Sequence, residues 1–537
     1  MAMRSAIRWS PRVELTGVEQ RICRRLTRTG RMFRFLRLHR HELLNEGFQA
    51  KLASMYADDY EPGRPPVPPA LLVLVTILQA YTDVSDADAV HHALFDKRWQ
   101  MVLDCMGCDA DGDGKAPFSQ GLLAEFRFRL IGADMDRELV RRTVELAKET
   151  KDFGFKALKV ALDSAPLWGA GRVEDTFNLI GHGLLVCVAC AADVGDLAAD
   201  DVLAAAELQI VGKSSVKAGL DIDWDNKDAK GQALNRLLDD VTRFEQWLSR
   251  QPERNEPEKQ LERKALDAAV AQLKRLVSQD TEPDPGGSGA RIRKGTAPGR
   301  QISIGDAEMR HGRKSKSTKI TGYKAHVGYE LEHQLVLDAV VTPAERPECE
   351  GGDQMRPNIE YYAPVGELNI DRGYLSAGWV TDLDAAGVPV YSKPWNPDNG
   401  GLYQKSDFTI DVVERQVTCP AGETVPFPGQ RGVEGRRQVT FRGCSTCKLR
   451  ALCTDSARGR SVDLHENEAL LQTLLARKRT PEGRKKLRER VGIEHNLAHV
   501  RVYQPRRARY VGTRKNTFAV RRAGAIVNLQ TIDARPV

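Results

Sequence analysis

The chain has 537 residues, 41% hydrophobic and 28% charged. This is too long for one compact core, so two to four structural units are expected, and the balance argues against a disordered or membrane-embedded protein. Net charge is only +7, yet 16 Lys or Arg stand against 3 Asp or Glu between Arg477 and Arg522. Such a density repels itself unless a polyanion such as nucleic acid lies nearby; a solvated helix face is the plainer alternative. The longest apolar run, Ala70 to Ala80, is too short for a bilayer, and the basic N-terminus lacks a signal's apolar stretch, so the expected location is the cytoplasm.

Residues 12–150 read as a helical domain, interrupted by a turn from Pro62 to Pro69 and a loop from Gly107 to Gly114. Ser85 ahead of Asp86 and Asp88 marks a helix start, and a second helix follows Ser119. Short helices with scattered arginines fit a DNA-docking module, although no helix-turn-helix signature stands out. At Phe155 the character changes. Ala157 to Asp163 reads as a buried strand ending in an acid, and Leu184 to Ala191 as another strand, giving residues 151–200 the start of an α/β core. On that strand Cys187 and Cys190 would face opposite ways as buried thiols, and Cys105-x2-Cys108 carries an equally weak metal signal. Residues 201–300 read as a charged helical hairpin, broken at Arg250 to Pro257, followed by a flexible Pro- and Gly-rich linker from Thr281 to Arg300.

Strands resume at Lys324 to Glu330 and Leu335 to Thr342. Leu368 to Asp371 ends another strand, Gly373 turns the chain, Ser376 to Ala386 forms a helix, and Val388 to Ser392 returns as a strand. Residues 301–394 thus complete the α/β core. Residues 395–464 are β-rich and residues 465–537 helical and basic. The β-rich part holds Cys419 and then Cys444-x2-Cys447-x5-Cys453. Two cysteines two residues apart, plus two from flanking loops rich in Gly and Pro, suit a structural tetrahedral zinc site.

Asp163 and Asp371 each close an apolar strand, so neighbouring strands could present both at one edge, although an Asp there is usually a turn residue. Around Glu494 stand Leu487, Arg490 and Arg501. At about 100° per residue these fall on one stripe of a helix, so a metal-binding glutamate would be flanked by arginines able to hold phosphate. The bland alternative is an Arg–Glu pair on a solvated helix.

The segment Leu487-x2-Arg490-x3-Glu494-x6-Arg501 resembles the Y-x2-R-x3-E-x6-K third-acid motif of the DDE transposases of bacterial insertion sequences, with leucine for tyrosine and arginine for lysine. Leu162-Asp163-Ser164, followed by Gly171 to Leu179, looks like that family's first-acid region. Ile302 to Lys316 with Gly322 to His326 resembles its basic loop and following strand, and Asp371-Arg-Gly-Tyr374 its D-x-G-Y second-acid pattern. The resemblance runs from residue 30 to 530. It implies an RNase H-like α/β catalytic core with an all-helical N-terminal domain, a helical-hairpin insertion and a β-rich cysteine-bearing insertion. It further implies catalysis by Asp163, Asp371 and Glu494 with two Mg²⁺ or Mn²⁺ ions.

DNA contacts are expected from Arg490, Arg501, Lys324, Arg313, Lys314, Lys316, Tyr374, Arg506, Arg507, Arg514 and Lys515. Partners would be double-stranded DNA at terminal inverted repeats and at the target, with a homodimer pairing two ends among the nucleoid. Glu174, Asp175, Asp306 and Glu308 are rival acids, Asp306 the strongest of them, and His326 reads as a structural hydrogen-bonder rather than a base. Two rival functions remain: a metal-dependent nuclease without strand transfer, and a decayed or repurposed transposase that only binds DNA.

Overall fold

The computed structural model describes residues 7–28, 30–56, 67–108, 115–151, 154–252, 257–286, 289–313, 318–393, 399–428, 437–489 and 491–534. The described elements up to residue 151 are all helices, from α1 (Gly17–Arg25), α2 (Arg31–Leu43) and α3 (Glu46–Ala53) through α4 (Pro69–Thr82), α5 (Asp86–Phe95) and α6 (Lys97–Leu103) to α7 (Gln120–Gly132) and α8 (Met135–Lys151). Side-chain caps start two of them where the sequence indicates: Ser85 Oγ accepts from the Asp88 amide at 3.1 Å, and Ser119 Oγ from the Leu122 amide at 3.2 Å. Residues Pro69 to Ala80 of α4 are buried on every side, which is why that run shows no polar face.

The centre of the molecule is a mixed six-stranded sheet. Strand β1 (Leu158–Trp168) pairs antiparallel with β5 (Lys319–Glu330), which also pairs antiparallel with β4 (Arg310–Arg313) and β6 (Leu335–Pro343). On its other side β1 runs parallel to β7 (Val365–Ile370), and β7 parallel to β8 (Val390–Ser392). Residues alternate across β1. Leu158, Val160 and Leu162 join a large core shared with the N-terminal helices, whereas Ala161, Ala165 and Leu167 join a second core on the opposite face. β1 is longer than its apolar stretch suggests. It continues through Ser164 to Trp168 because β5 offers nine partners in register, so Asp163 lies inside a strand rather than at its end.

The segment Leu184 to Ala191 is not a strand. It belongs to α9 (Thr176–Gly195), buried on most sides in a helical cluster with α10 (Ala199–Ala205), α11 (Val216–Leu220), α12 (Lys227–Ser249) and α13 (Gln260–Asp280). A helix apolar almost all round gives no periodic signal, and its β-branched and small residues imitate a buried strand. By length and composition α9 could cross a membrane, and the bent pair α4–α5 passes the same test together; 61% of the apolar window of α9 is buried inside the protein. The stretch Thr281 to Arg300 is no plain linker either. Short strands β2 (Thr281–Pro283) and β3 (Ala290–Ile292) pair, and the Asn235 amide brackets Ala290 by accepting from its N–H at 2.8 Å and donating to its carbonyl at 3.2 Å.

After β6 come α14 (Glu348–Glu360), β7, α15 (Gly378–Ala385) and β8. Next, strands β9 (Thr409–Asp411), β10 (Gln416–Thr418) and β11 (Thr424–Pro426) make one small sheet, and β12 (Arg437–Thr440) with β13 (Ser461–Leu464) another, flanking the one-turn helix α16 (Arg450–Cys453). The chain closes with α17 (Glu468–Arg479), α18 (Pro481–Glu489), α19 (Val491–Tyr503) and α20 (Thr513–Ala534). Helix α20 packs between β6 and α8. There Arg521, 2% exposed, donates to Asp338 of β6 at 2.9 Å and to Asp134 and Asp136 at 2.8 and 3.2 Å. Arg521 and Arg522 are thus buried within the protein, and part of the basic run Arg477 to Arg522 serves the fold rather than a polyanion.

Candidate active site

The parallel ladder between β1 and β7 ends at the Leu162–Ile370 pair. One residue further stand Asp163 and Asp371, neighbours across adjacent strands. By strand alternation both belong to the face opposite Leu162 and Ile370. Each acid accepts, through its Oδ1, a hydrogen bond from the amide that follows it: Ser164 N–H to Asp163 at 2.7 Å, and Arg372 N–H to Asp371 at 2.9 Å. These short loops help to fix carboxylate orientation through backbone atoms.

Helix α19 covers that same face. Ile493, Leu497 and Val500 recur at helical spacing and are buried with Ala161 and Ala165 of β1. Glu494 sits beside Ile493 and is exposed, and Arg501 follows Val500 on the flank that carries Glu494. Burial and then the neighbouring Arg506 lower the Arg501 pKa, whereas the Asp163 carboxylate raises it, so Arg501 lies within electrostatic reach of the first acid. Leu487 stands on α18 and Arg490 lies outside the described residues, so the one-helix stripe is seen only from Glu494 to Arg501. Among the described residues, no three His, Cys, Asp or Glu side chains are grouped tightly enough, as they stand, to hold one ion.

The expected DNA contacts divide into four sets. Arg506 and Arg507 are exposed directly after α19 and are pinned to the end of β1, where the Trp168 amide donates to the Arg506 carbonyl at 2.7 Å and Ala508 N–H to the Trp168 carbonyl at 2.7 Å. Arg506 lies within electrostatic reach of Arg501, which in turn is within reach of Asp163. Arg313, at the end of β4, and Lys515 are exposed elsewhere. Three of the expected contacts are engaged by partners within the protein. Lys324 is buried and its Nζ donates to the Arg346 carbonyl at 2.7 Å; burial lowers its pKa, opposed by Glu348, and it is not presented to a phosphate. Tyr374 is wholly buried, with its hydroxyl 2.7 Å from His326 Nδ1; burial, then Glu348, Asp163 and Asp371, raise its pKa. Arg514 is engaged with Asp136 and with the Ile131 carbonyl at 2.6 Å. Lys314 and Lys316 lie outside the described residues.

The rival acids have structural duties. Glu174 bonds His182 at 2.6 Å, and Asp175 caps α9 through the Asn178 amide at 3.0 Å. Asp306 is fully buried and accepts from the Tyr323 hydroxyl at 2.5 Å, while Glu308 accepts from the Thr513 amide at 2.8 Å. His326 is held between Tyr374 and Thr342, 2.9 Å from Thr342 Oγ1, consistent with a structural role.

One acid beside the site is not apparent from motif spacing. Glu348, in the first turn of α14, accepts from Ser164 Oγ at 2.5 Å. A Cβ on Gly373 would stand 1.8 Å from Glu348 Oε2, which gives the glycine of D-x-G-Y a steric reason: it admits this carboxylate. Glu348 therefore touches the residue after one acid and packs against the turn after the other. The only available sequence signal was its position five residues beyond a strand, which singles out nothing.

The four clustered cysteines line one cavity of about 570 Å³ with Tyr403, Phe441 and Arg460. All are free thiols. Cys187 and Cys190 instead sit on α9, and burial pushes the Cys187 thiol up to about 12. Cys105, with Cys108 beside it, is also raised to about 12 by burial.

Two family models match the chain. A transposase DDE domain matches residues 418–532, which include the cysteine segment and Glu494, and a transposase domain (DUF772) matches residues 24–127 in the N-terminal helices. Asp163 and Asp371 lie between the two matches. No curated protein and no solved structure matches the chain.

Proposed function

We propose that this chain, an insertion-sequence DDE transposase, binds the ends of its element and performs DNA cleavage and strand transfer with Asp163, Asp371 and Glu494. The observation that carries the proposal is the register of β1 and β7, which makes Asp163 and Asp371 neighbours beneath the helix bearing Glu494. The strand order β6–β5–β1–β7–β8, antiparallel at first and then parallel, supports an RNase H-like core. On that reading the helical cluster of residues 176–280 and the cysteine segment are insertions between successive acids, and each has its own apolar cluster.

The donor set fits Mg²⁺ or Mn²⁺, because carboxylate oxygens on neighbouring strands are hard ligands; the three acids must draw closer than they stand to share ions. Bound divalent metal would activate an attacking oxygen and neutralise charge developing at phosphorus. The protein's own part is positioning. The Ser164 and Arg372 amides orient two carboxylates, and Glu348 braces the strand at Ser164 and the turn at Gly373. Arg501, Arg506 and Arg507 hold the DNA backbone on the acid-bearing side. Pairing two element ends calls for two chains on DNA, acting in the cytoplasm at the nucleoid.

Labelled element-end DNA incubated with the protein and Mg²⁺ tests this reading. Joined products are expected, and Asp371→Asn is expected to lose cleavage and joining while retaining binding. Nicks without joining would favour the nuclease alternative. Binding without cleavage by the unaltered protein would sink the enzymatic reading.

A further inference from the structure

We propose that Cys419, Cys444, Cys447 and Cys453 form a structural zinc site that fastens the segment leading into the C-terminal helices, a feature independent of the acidic site. Each sulfur is carried by a turn or a helix end. Cys419 opens a tight corner in which its amide donates to the Glu423 carbonyl at 2.8 Å and Gly422 N–H returns to its own carbonyl at 2.9 Å. Cys444 lies in the 3₁₀ turn Gly443–Ser445, Cys447 follows two residues later, and Cys453 ends α16. All four face the same cavity.

Three further observations point to an ion rather than to ordinary buried thiols. The first is size: the segment has strands of three or four residues and an apolar cluster of eight buried residues among those described, two of them the candidate ligands Cys444 and Cys453. Modules this small usually need a metal or disulfides to hold together. The second is charge. A zinc ion replacing four thiol protons leaves a net charge of two minus on the centre, and Lys448, Arg450 and Arg460 line the cavity against the single acid Glu423. Glu423 has its own task, accepting from the Gly443 amide at 3.3 Å. The third is a backbone donor: the Arg460 amide donates to Cys444 Sγ at 3.4 Å, an N–H···S contact of the kind that orients a ligand sulfur.

As placed, the sulfurs are not grouped tightly enough to ligate one ion, so binding includes their closure. Rotating a cysteine between staggered wells moves its sulfur by about 3 Å, a useful share of the closure needed to reach Zn–S distances of about 2.3 Å. The balanced step is Zn²⁺ plus four thiols giving a tetrathiolate centre and four released protons. Closure would stiffen a segment already docked on α17, where Gln472 donates to the Ile410 carbonyl at 2.8 Å and Lys405 to Glu468 at 2.7 Å.

The test is the metal content of the full-length protein, purified without chelator from zinc-supplemented cells, together with thiol alkylation mapped by mass spectrometry. About one zinc per chain is expected, with Cys419, Cys444, Cys447 and Cys453 protected until a strong chelator is added. Cadmium substitution should produce sulfur-to-metal charge-transfer absorption. Cys447→Ser with Cys453→Ser should lose the metal, whereas Cys187→Ser with Cys190→Ser should keep it. Zinc far below one per chain, chelator-independent alkylation of the four thiols, or disulfides among them would overturn the proposal. The alkylation map needs only the unaltered protein, so a misfolded variant does not blunt the test.

Discussion

In the central sheet, two acids are aligned by main chain: β1 pairs with β5 over nine residues and with β7 on its other side, and large apolar cores cover both faces. In the cysteine segment, the described strands are three or four residues long and pack on a small cluster, with eight buried side chains among the described residues. The first arrangement can hold carboxylates near one another because ladder hydrogen bonds and buried area outweigh their repulsion. The second has little such reserve, so the order of its loops depends on what its side chains bind. A fold can therefore organise one polar site by packing and leave another to be organised by its ligand.

The largest effect is expected where the sheet is tied to the rest of the molecule. Arg521→Ala removes a buried cation from Asp338, Asp134 and Asp136, and a loss of about 3–5 kcal/mol is expected in urea unfolding. If α20 and the sheet were independently stable, the loss would be under about 1 kcal/mol, the range of a surface pair. Next in size is the contrast between a direct ligand and its support. Glu348→Gln should slow cleavage by about 10–100-fold, the usual cost of losing an indirect partner of a metal site, with kcat falling more than KM rises. Asp163→Asn should cost more than that. Equal losses from both variants would place Glu348 among the acids that hold the ion.

His326 makes the stability of the sheet depend on pH. Burial, with a smaller contribution from Lys324, depresses its pKa to about 3. Between that value and about 6.5, its ordinary pKa, the unfolded chain binds a proton that the folded chain refuses. Stability is therefore complete above about 6.5 and falls by up to about 1.4 kcal/mol per pH unit below it. Urea midpoints measured across that range should lose this part of their slope in His326→Gln. The smallest effect is expected directly after α19: Arg506→Ala and Arg507→Ala should each reduce the salt slope of DNA binding by about 0.9, leaving the urea midpoint within about 0.5 kcal/mol of the unaltered protein. An unchanged slope in both would remove them from the DNA path.

Local chemistry made much of the architecture legible. The strands at Leu335 to Thr342 and Leu368 to Ile370 are where alternating or β-branched runs indicate, and the caps at Ser85 and Ser119 begin helices as their residue types require. Leu184 to Ala191 was illegible because a helix buried on nearly all sides lacks the periodicity that distinguishes it from a strand. The full length of β1 was hidden as well, since Ser164 to Trp168 are kept extended by β5, a partner more than 150 residues away.

The order of chemically distinct segments is legible from residue type alone: helical, strand-bearing with acids, cysteine-rich, then basic and helical. Composition and spacing are local properties and survive without a fold. Which polar side chains face outward depends on long-range packing. Lys324, Tyr374, Arg514 and Arg521 carry the same side chains as DNA-contacting residues, yet each is engaged by partners from distant parts of the chain. The same holds for Glu348, which gains a place beside Asp163 and Asp371 only because α14 brings its first turn against Gly373. Burial and partner choice depend on residues far apart in sequence, and no local pattern encodes them.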